Sequence, residues 1–224
     1  MTILYEDADI IVCHKPSAVA TQTKKIGEKD MVSELKNYLH GQAGGDPYIG
    51  IIHRLDQGVE GILVFAKTPA AAAELSRQTA EHKMKKYYYA VVSGSLKNPE
   101  GTLTDYLIKN GKDNTSKVVN KGTQGAKKAE LRYQLIKSDE VKKQHLIRIE
   151  LITGRHHQIR VQFANQGLPL INDYKYGYSS DRDGTKGLAL CAYRLCFEHP
   201  VTHQKLEYEI EPEAELFQEM SFKG

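Results

Sequence analysis

The stretch GIIHRLDQGVEGILVFAK, Gly50 to Lys67, sets the architecture. Two apolar runs, Ile49 to Ile52 and Ile62 to Ala66, flank a polar tip that carries His53, Arg54 and Asp56. The second run is short and rich in β-branched and aromatic residues, which marks a buried strand rather than a helix. Thr68-Pro69 follows at once, a capping hydroxyl with proline in the first helical position, and predicts an alanine-rich helix to about Lys83. A turn between buried strands is where a scaffold holds reactive side chains at a cleft. The residues alone also admit a plain turn, in which Asp56 bonds its own backbone.

Toward the N-terminus, Ile3 to His14 reads as strand, acidic turn (Glu6-Asp7-Ala8-Asp9) and strand, closed by Pro16. A polar loop from Thr21 to Lys29 leads to Asp30, which can cap a helix reaching about His40. Met31, Leu35 and Leu39 line one face of that helix, and the glycines from Gly41 onward break it. Toward the C-terminus, Tyr87 to Val92, Ala129 to Ile136, His145 to Ile152, Leu188 to Phe197 and Leu206 to Ile210 read as strands. Asn110 to Gly125 is polar and glycine-bearing, as in a loop or hairpin tip. A helix is predicted from about Arg155 to Gln166, ended by Gly167 with Pro169 beyond. Strands outnumber helices and many connections are short. The expected class is α+β, one domain over residues 1–224 with a mixed, largely antiparallel sheet flanked by helices.

Composition sets outer bounds. The net charge of +3 permits an RNA partner without showing one, although lysines pair at Lys24-Lys25, Lys85-Lys86, Lys127-Lys128 and Lys142-Lys143. No apolar run approaches membrane-spanning length, and the first residues lack a signal-peptide pattern, so a cytoplasmic protein is expected. Cys13, Cys191 and Cys196 form no CxxC, which argues against a disulfide framework or a zinc knuckle. The histidines are scattered. His156 and His157 are adjacent and would point to different sides of either a helix or a strand, so no metal site is expected.

Two further segments place polar groups on apolar elements. In KKYYYAVVSG, Lys85 to Gly94, Tyr88 must face opposite to Tyr87 and Tyr89, and one face can offer an aromatic platform to a base while the other packs in the core. In LITGRHHQIRV, Leu151 to Val161, Thr153-Gly154 turns the chain and leaves Arg155 where the helix begins. Helix electrostatics favour acids at that end, so the arginine needs another reason, such as a carboxylate or phosphate partner. A bidentate pair with an acid such as Asp56 would orient that acid.

These three segments, in this order, resemble the RluA family of pseudouridine synthases. HRLD with ILVFAK is similar to the family's first motif, with Asp56 at its aspartate. Lys86, Tyr88 and Ala90 match the second, K-x-Y-x-A, and GRHHQIRV matches the third, with Arg155 at the active-site arginine. ILYEDADIIVCHKP and LCFEHPVT extend the likeness over nearly the whole chain.

The resemblance implies an enzyme without cofactor or metal that flips a uridine out of structured rRNA or tRNA and isomerises it. It implies Asp56, Tyr88 and Arg155 as catalytic residues and Arg54 as the filler of the gap left by the base. His53, Lys86, Lys24, Lys25, Lys112 and Lys117 are the expected RNA contacts. A monomer without an obligate protein partner and without a separate N-terminal RNA-binding domain is expected. Four positions depart from the family pattern: Val59-Glu60 stands where Thr-Ser is usual, Cys191 where histidine is common, and His156 where threonine is.

Overall fold

The computed structural model describes residues 1–24, 27–43, 46–178 and 187–220. The chain folds as two compact units, Met1–Lys85 with Ala192–Glu211, and Lys86–Cys191 with Pro212–Gly224.

In the first unit, β1 (Thr2–Glu6) runs antiparallel to β2 (Ile10–Lys15). The acidic turn between them is built by Asp7, whose Oδ1 accepts the N–H groups of Asp9 and Ile10, each at 2.8 Å. Strand β2 pairs antiparallel with β4 (Glu60–Ala66) in the register Val12↔Val64, and β3 (Gly50–Ile51) pairs with the end of β4. Every residue of β2 and β4 is buried, which is why IIVC and ILVFA read as unbroken apolar runs rather than alternating ones. On one face Ile10, Val12, Ile62 and Val64 pack with Ala71 and Leu75 of helix α2 (Pro69–Ala80) and with Leu195 and Phe197. The latter two belong to β10 (Leu190–Glu198), which neighbours β4 and carries β11 (Lys205–Glu209) antiparallel to it.

Helix α1 (Met31–Ala43) begins as expected at Asp30, whose Oδ1 accepts the Ser33 N–H at 2.7 Å, and it continues past His40 through Gly41. Gly44 and Gly45 lie outside the described residues. Asp30→Ala is expected to cost about 1–2 kcal/mol, the usual worth of an N-cap carboxylate, read as a lower urea midpoint. An unchanged midpoint would show that the cap is dispensable. Helix α2 has the predicted Thr68 cap, with Oγ1 accepting the Ala71 N–H at 3.1 Å, but ends at Ala80 rather than near Lys83. The chain turns there because His82 adopts a left-handed conformation (φ 57°). The buried Gln78 amide donates to Glu198 O and accepts from Glu198 N, so α2 is tied to β10 by two hydrogen bonds. His199 Nδ1 accepts backbone N–H groups from Val201 and Thr202, so its Nε2–H donates to Asp7 at 2.7 Å. That bond joins the early EDAD turn to the late EHPV segment.

The second unit is an antiparallel sheet in the order β5 (Lys85–Ser93), β9 (Gln144–Leu151), β8 (Lys127–Asp139), β6 (Glu100–Asn110), β7 (Thr115–Val119). Helix α3 (Gln158–Asn165) packs through Val161 on Leu107 and Ala129, and a short α4 (Glu215–Glu219) follows later in the chain. Strand β6 was not foreseen, and the polar stretch 110–125 contains strand β7, so only its ends are turns. Half-exposed strands with polar outer faces hide in composition. Helix α3 also starts later than predicted, at Gln158. The reason is His157, whose left-handed backbone (φ 52°) precedes the first helical turn. No helix among the described residues is long and apolar enough to cross a membrane.

Candidate active site

Within the first unit, the tip between β3 and β4 is held from outside by the segment that follows β2. Thr21 Oγ1 donates to Leu55 O at 2.9 Å and accepts the Leu55 N–H at 3.2 Å. Ser17 Oγ donates to Gly58 O, and Gln57 Nε2 donates to Ala18 O. Val59 N–H closes the turn on Asp56 O at 3.0 Å. The Asp56 side chain is thereby presented half-buried between exposed Arg54 and Gln57, while its neighbour Leu55 is driven inward. His53 accepts the Val64 N–H through Nε2, which fixes the first residue of the tip against β4.

Beneath the tip lies Lys15, wholly buried at the end of β2. Its ammonium donates to Pro16 O at 3.0 Å, Val19 O at 2.6 Å and Gln57 O at 3.2 Å. Burial pushes this lysine down to about 8, against the pull of Asp56 and Glu60, which favour its charged form. Glu60, the departure beside the aspartate motif, is buried and faces this cation, so it does not stand as an uncompensated acid. Sequence reasoning missed Lys15. The available signal was a lysine closing a strand that opens with four apolar residues in a row.

Within the second unit, Tyr88 lies on β5 opposite Ile149 of β9 and is 6% exposed, while Tyr87 and Tyr89 on the other face are half-buried. The alternation is as expected, and the Tyr88 face is the better buried of the two. Lys86 reaches over Gly154: a Cβ there would stand 3.4 Å from Lys86 Nζ. Burial lowers the pKa of this lysine.

Arg155 sits in a loop stapled to β8. Ile152 and Thr153 donate their N–H groups to Glu130 O, and Glu130 N–H returns a bond to Thr153 Oγ1 at 2.8 Å. The Gln158 amide gathers the loop, accepting from Thr153 Oγ1 and Arg155 N and donating to Glu130 O. Arg155 Nε donates to Lys128 O at 2.9 Å, which aims the guanidinium by one edge. Its two terminal nitrogens make no hydrogen bond within this unit among the described residues, and that edge suits a carboxylate or phosphate. The expectation that His156 and His157 diverge is overturned. The loop is neither helix nor strand at this point, and the rings stack with centroids 3.8 Å apart.

Of the expected phosphate contacts, Lys24 is exposed on the loop that anchors the Asp56 tip, and Lys112 and Lys117 are exposed on the β6–β7 hairpin. Lys25 lies outside the described residues.

The fold is that of the pseudouridylate synthases. Two human proteins, RNA pseudouridylate synthase domain containing 4 and domain containing 1, superpose with TM-scores of 0.76 and 0.73. Identity is only 20% and 23%, over 95% and 94% of this chain and 89% and 83% of theirs. Residues 9–165 match the RNA pseudouridylate synthase family, and the chain belongs to that family. It is 33% identical to the dual-specificity RNA pseudouridine synthase RluA of Yersinia pestis, over 95% of this chain and all of that one. It is 32% identical to the RNA pseudouridine synthase YhcT of Bacillus subtilis over 91% of its length, but spans only 66% of that protein.

Proposed function

We propose that this chain is an RNA pseudouridine synthase that acts on chosen uridines in structured rRNA or tRNA, as a cytoplasmic monomer, with Asp56 as its catalytic carboxylate. The observation that carries the reading is the anchoring of the Asp56 tip by Lys15, Ser17, Ala18 and Thr21 in a chain of this family. A plain turn needs no such scaffold, whereas a catalytic group must be held to within a fraction of an ångström.

The reaction conserves every atom. The bond from N1 of uracil to the anomeric carbon breaks, a bond from carbon 5 forms, the carbon 5 proton leaves, and N1 gains one. The uridine is first flipped out of its stack, since its glycosidic bond is inaccessible otherwise. Asp56 acts at the ribose, either attacking the anomeric carbon or removing a sugar proton. The detached uracil turns in the pocket. By the family likeness, Tyr88 is assigned stacking on the base and assistance in removing the carbon 5 proton, and Arg155 is assigned the holding of the Asp56 carboxylate. Arg54, exposed on the tip, fills the gap left by the flipped base. His53, Lys86, Lys24, Lys25, Lys112 and Lys117 contact the RNA. Phosphate contacts of this kind set position and affinity rather than sequence choice.

The test is tritium release from RNA labelled at carbon 5 of uridine, using total RNA from cells that lack the gene. Wild type should release tritium and Asp56→Asn should lose at least about 10³-fold in rate. Equal release by both proteins would remove Asp56 from the chemistry, and release by neither would overturn the synthase reading.

A further inference from the structure

Burial withdraws two lysines of this chain from water, and the fold treats them differently. Lys15 is wholly buried, donates to three carbonyls, and has Asp56 and Glu60 favouring its charge. Lys86 is half-buried on β5 and makes no hydrogen bond or ion pair within its unit among the described residues. Burial alone lowers its pKa, and no acid counters that. Two acids on the strands beyond are engaged elsewhere: Glu150 of β9 with Arg132 at 3.4 Å, and Glu130 of β8 with Lys128 at 2.6 Å. A cation partly withdrawn from water without an anion is a cost to the fold.

The space beside the ammonium is open. Gly154 is exposed, and a Cβ built on it would meet no described atom within 4 Å except Lys86 Nζ, at 3.4 Å. The backbone of Gly154 is not left-handed, so conformation does not require a glycine there. What its missing side chain provides is an approach to Nζ. Arg155 follows at once, held through Nε by Lys128 O, so a second basic group adjoins the gap.

Lys86 and Tyr88 stand two residues apart on β5 and therefore share a face, about 7 Å from one another along the strand. One nucleotide covers that span from its base to its phosphate. An ammonium is a compact point charge with three donors, which suits a phosphate oxygen. A neutral base would leave the charge uncompensated.

We propose that Lys86 binds a phosphate flanking the uridine that is turned toward Tyr88, and that its charge serves RNA binding and not the fold. The assignment of that nucleotide rests on the synthase reading above; the phosphate site itself rests on the open, unpaired ammonium over Gly154.

Binding of total RNA from cells that lack the gene, measured by filter retention between about 50 and 200 mM salt, tests the site in the whole chain. Lys86→Met should weaken binding about tenfold, the factor expected from one charge-assisted hydrogen bond. It should also flatten the slope of log Kd against log salt by about 0.7–0.9, the share of one phosphate. Lys86→Arg, which keeps the charge, should restore the slope. In the tritium assay the loss should fall on KM, with kcat within about twofold of wild type. The urea midpoint of Lys86→Met should equal or exceed that of wild type, because no partner is lost. Once tritium release has mapped the uridine, a synthetic RNA with a neutral methylphosphonate on either side of it locates the contact. One of the two positions should cost wild type about tenfold and cost Lys86→Met nothing further. An unchanged salt slope and KM in Lys86→Met, or a lowered midpoint that accounts for its weaker binding, would overturn the phosphate site even if tritium release is normal. Tolerance of both neutral linkages by wild type would overturn its placement beside the uridine. A flattened slope without tritium release from wild type would overturn the synthase reading alone.

Discussion

Replacing Lys15 with methionine is expected to lower stability by about 3 kcal/mol and to slow tritium release by about 10²-fold, although Lys15 is 0% exposed. Methionine fills much the same volume but donates nothing. Three carbonyls, of Pro16, Val19 and Gln57, would lose their donor, and Asp56 and Glu60 would lose the cation that faces them. Breaking a buried charged set by removing one member costs more than the set contributes when intact. The rate loss follows because Gln57 O, adjoining Asp56, is one of the three anchors, and a shift of about 1 Å at a reacting group is enough for 10²-fold.

The pH dependence separates this account from simple loss of packing. Lys15 falls from 10.5 to about 8 on folding. Between these values the unfolded chain holds a proton that the folded one has released, so this group makes stability rise with pH across that window. The penalty of burying the charge is fully present below it. Urea titrations at the two ends of the window should show this rise in wild type and not in Lys15→Met. A variant with the wild-type midpoint, or with the same rise, would sink the argument.

The central strands were legible because their chemistry is uniform. Strands β2 and β4 carry the unbroken apolar runs IIVC and ILVFA, buried on both faces, and turn or cap residues (Asp7, Asp30, Thr68) mark their surroundings. Strand β7 was not, because TSKVV on a half-exposed strand presents mainly polar atoms and its pairing with β6 depends on a register no local pattern encodes. Helix α3 was placed early because GRHHQIRV has no strong breaker. The left-handed backbone at His157 is imposed by tertiary bonds, of Gln158 to Glu130 and Thr153 and of His157 to Tyr176, which are distant or geometric facts.

The candidate site divides the same way. Asp56, Tyr88 and Arg155 were readable as polar groups set on apolar elements, whereas their supports were not. Thr21 lies 34 residues from Leu55, and Ser116 lies 40 from His156. A serine or a threonine gives no sign of so distant a partner until the chain is folded. The motif residues that reading singles out therefore account for the proposed chemistry, and residues that reading passes over account for its placement.

Gly61→Ala is the second large effect expected, about 3 kcal/mol or more from strain and overpacking together. Gly61 belongs to the first motif, one residue after Glu60, and lies opposite Lys15 in the β2–β4 register. Its φ of +142° is outside the range side chains adopt comfortably. A Cβ on it would stand 2.5 Å from the Ala192 Cβ and 2.6 Å from the Ala192 backbone N and O. Those atoms belong to β10, the neighbour of β4, and backbone cannot swing aside as a side-chain tip does. The strands would have to part at the end where Lys15 and Glu60 are buried, so tritium release should fall along with the denaturation midpoint. Gly111→Ala is the matched control: nothing lies within 4 Å of its Cβ position, and a change within about 0.5 kcal/mol is expected. Equal midpoints for the two variants would mean that β4 and β10 can separate at no cost, and the close approach would not be why glycine stands there.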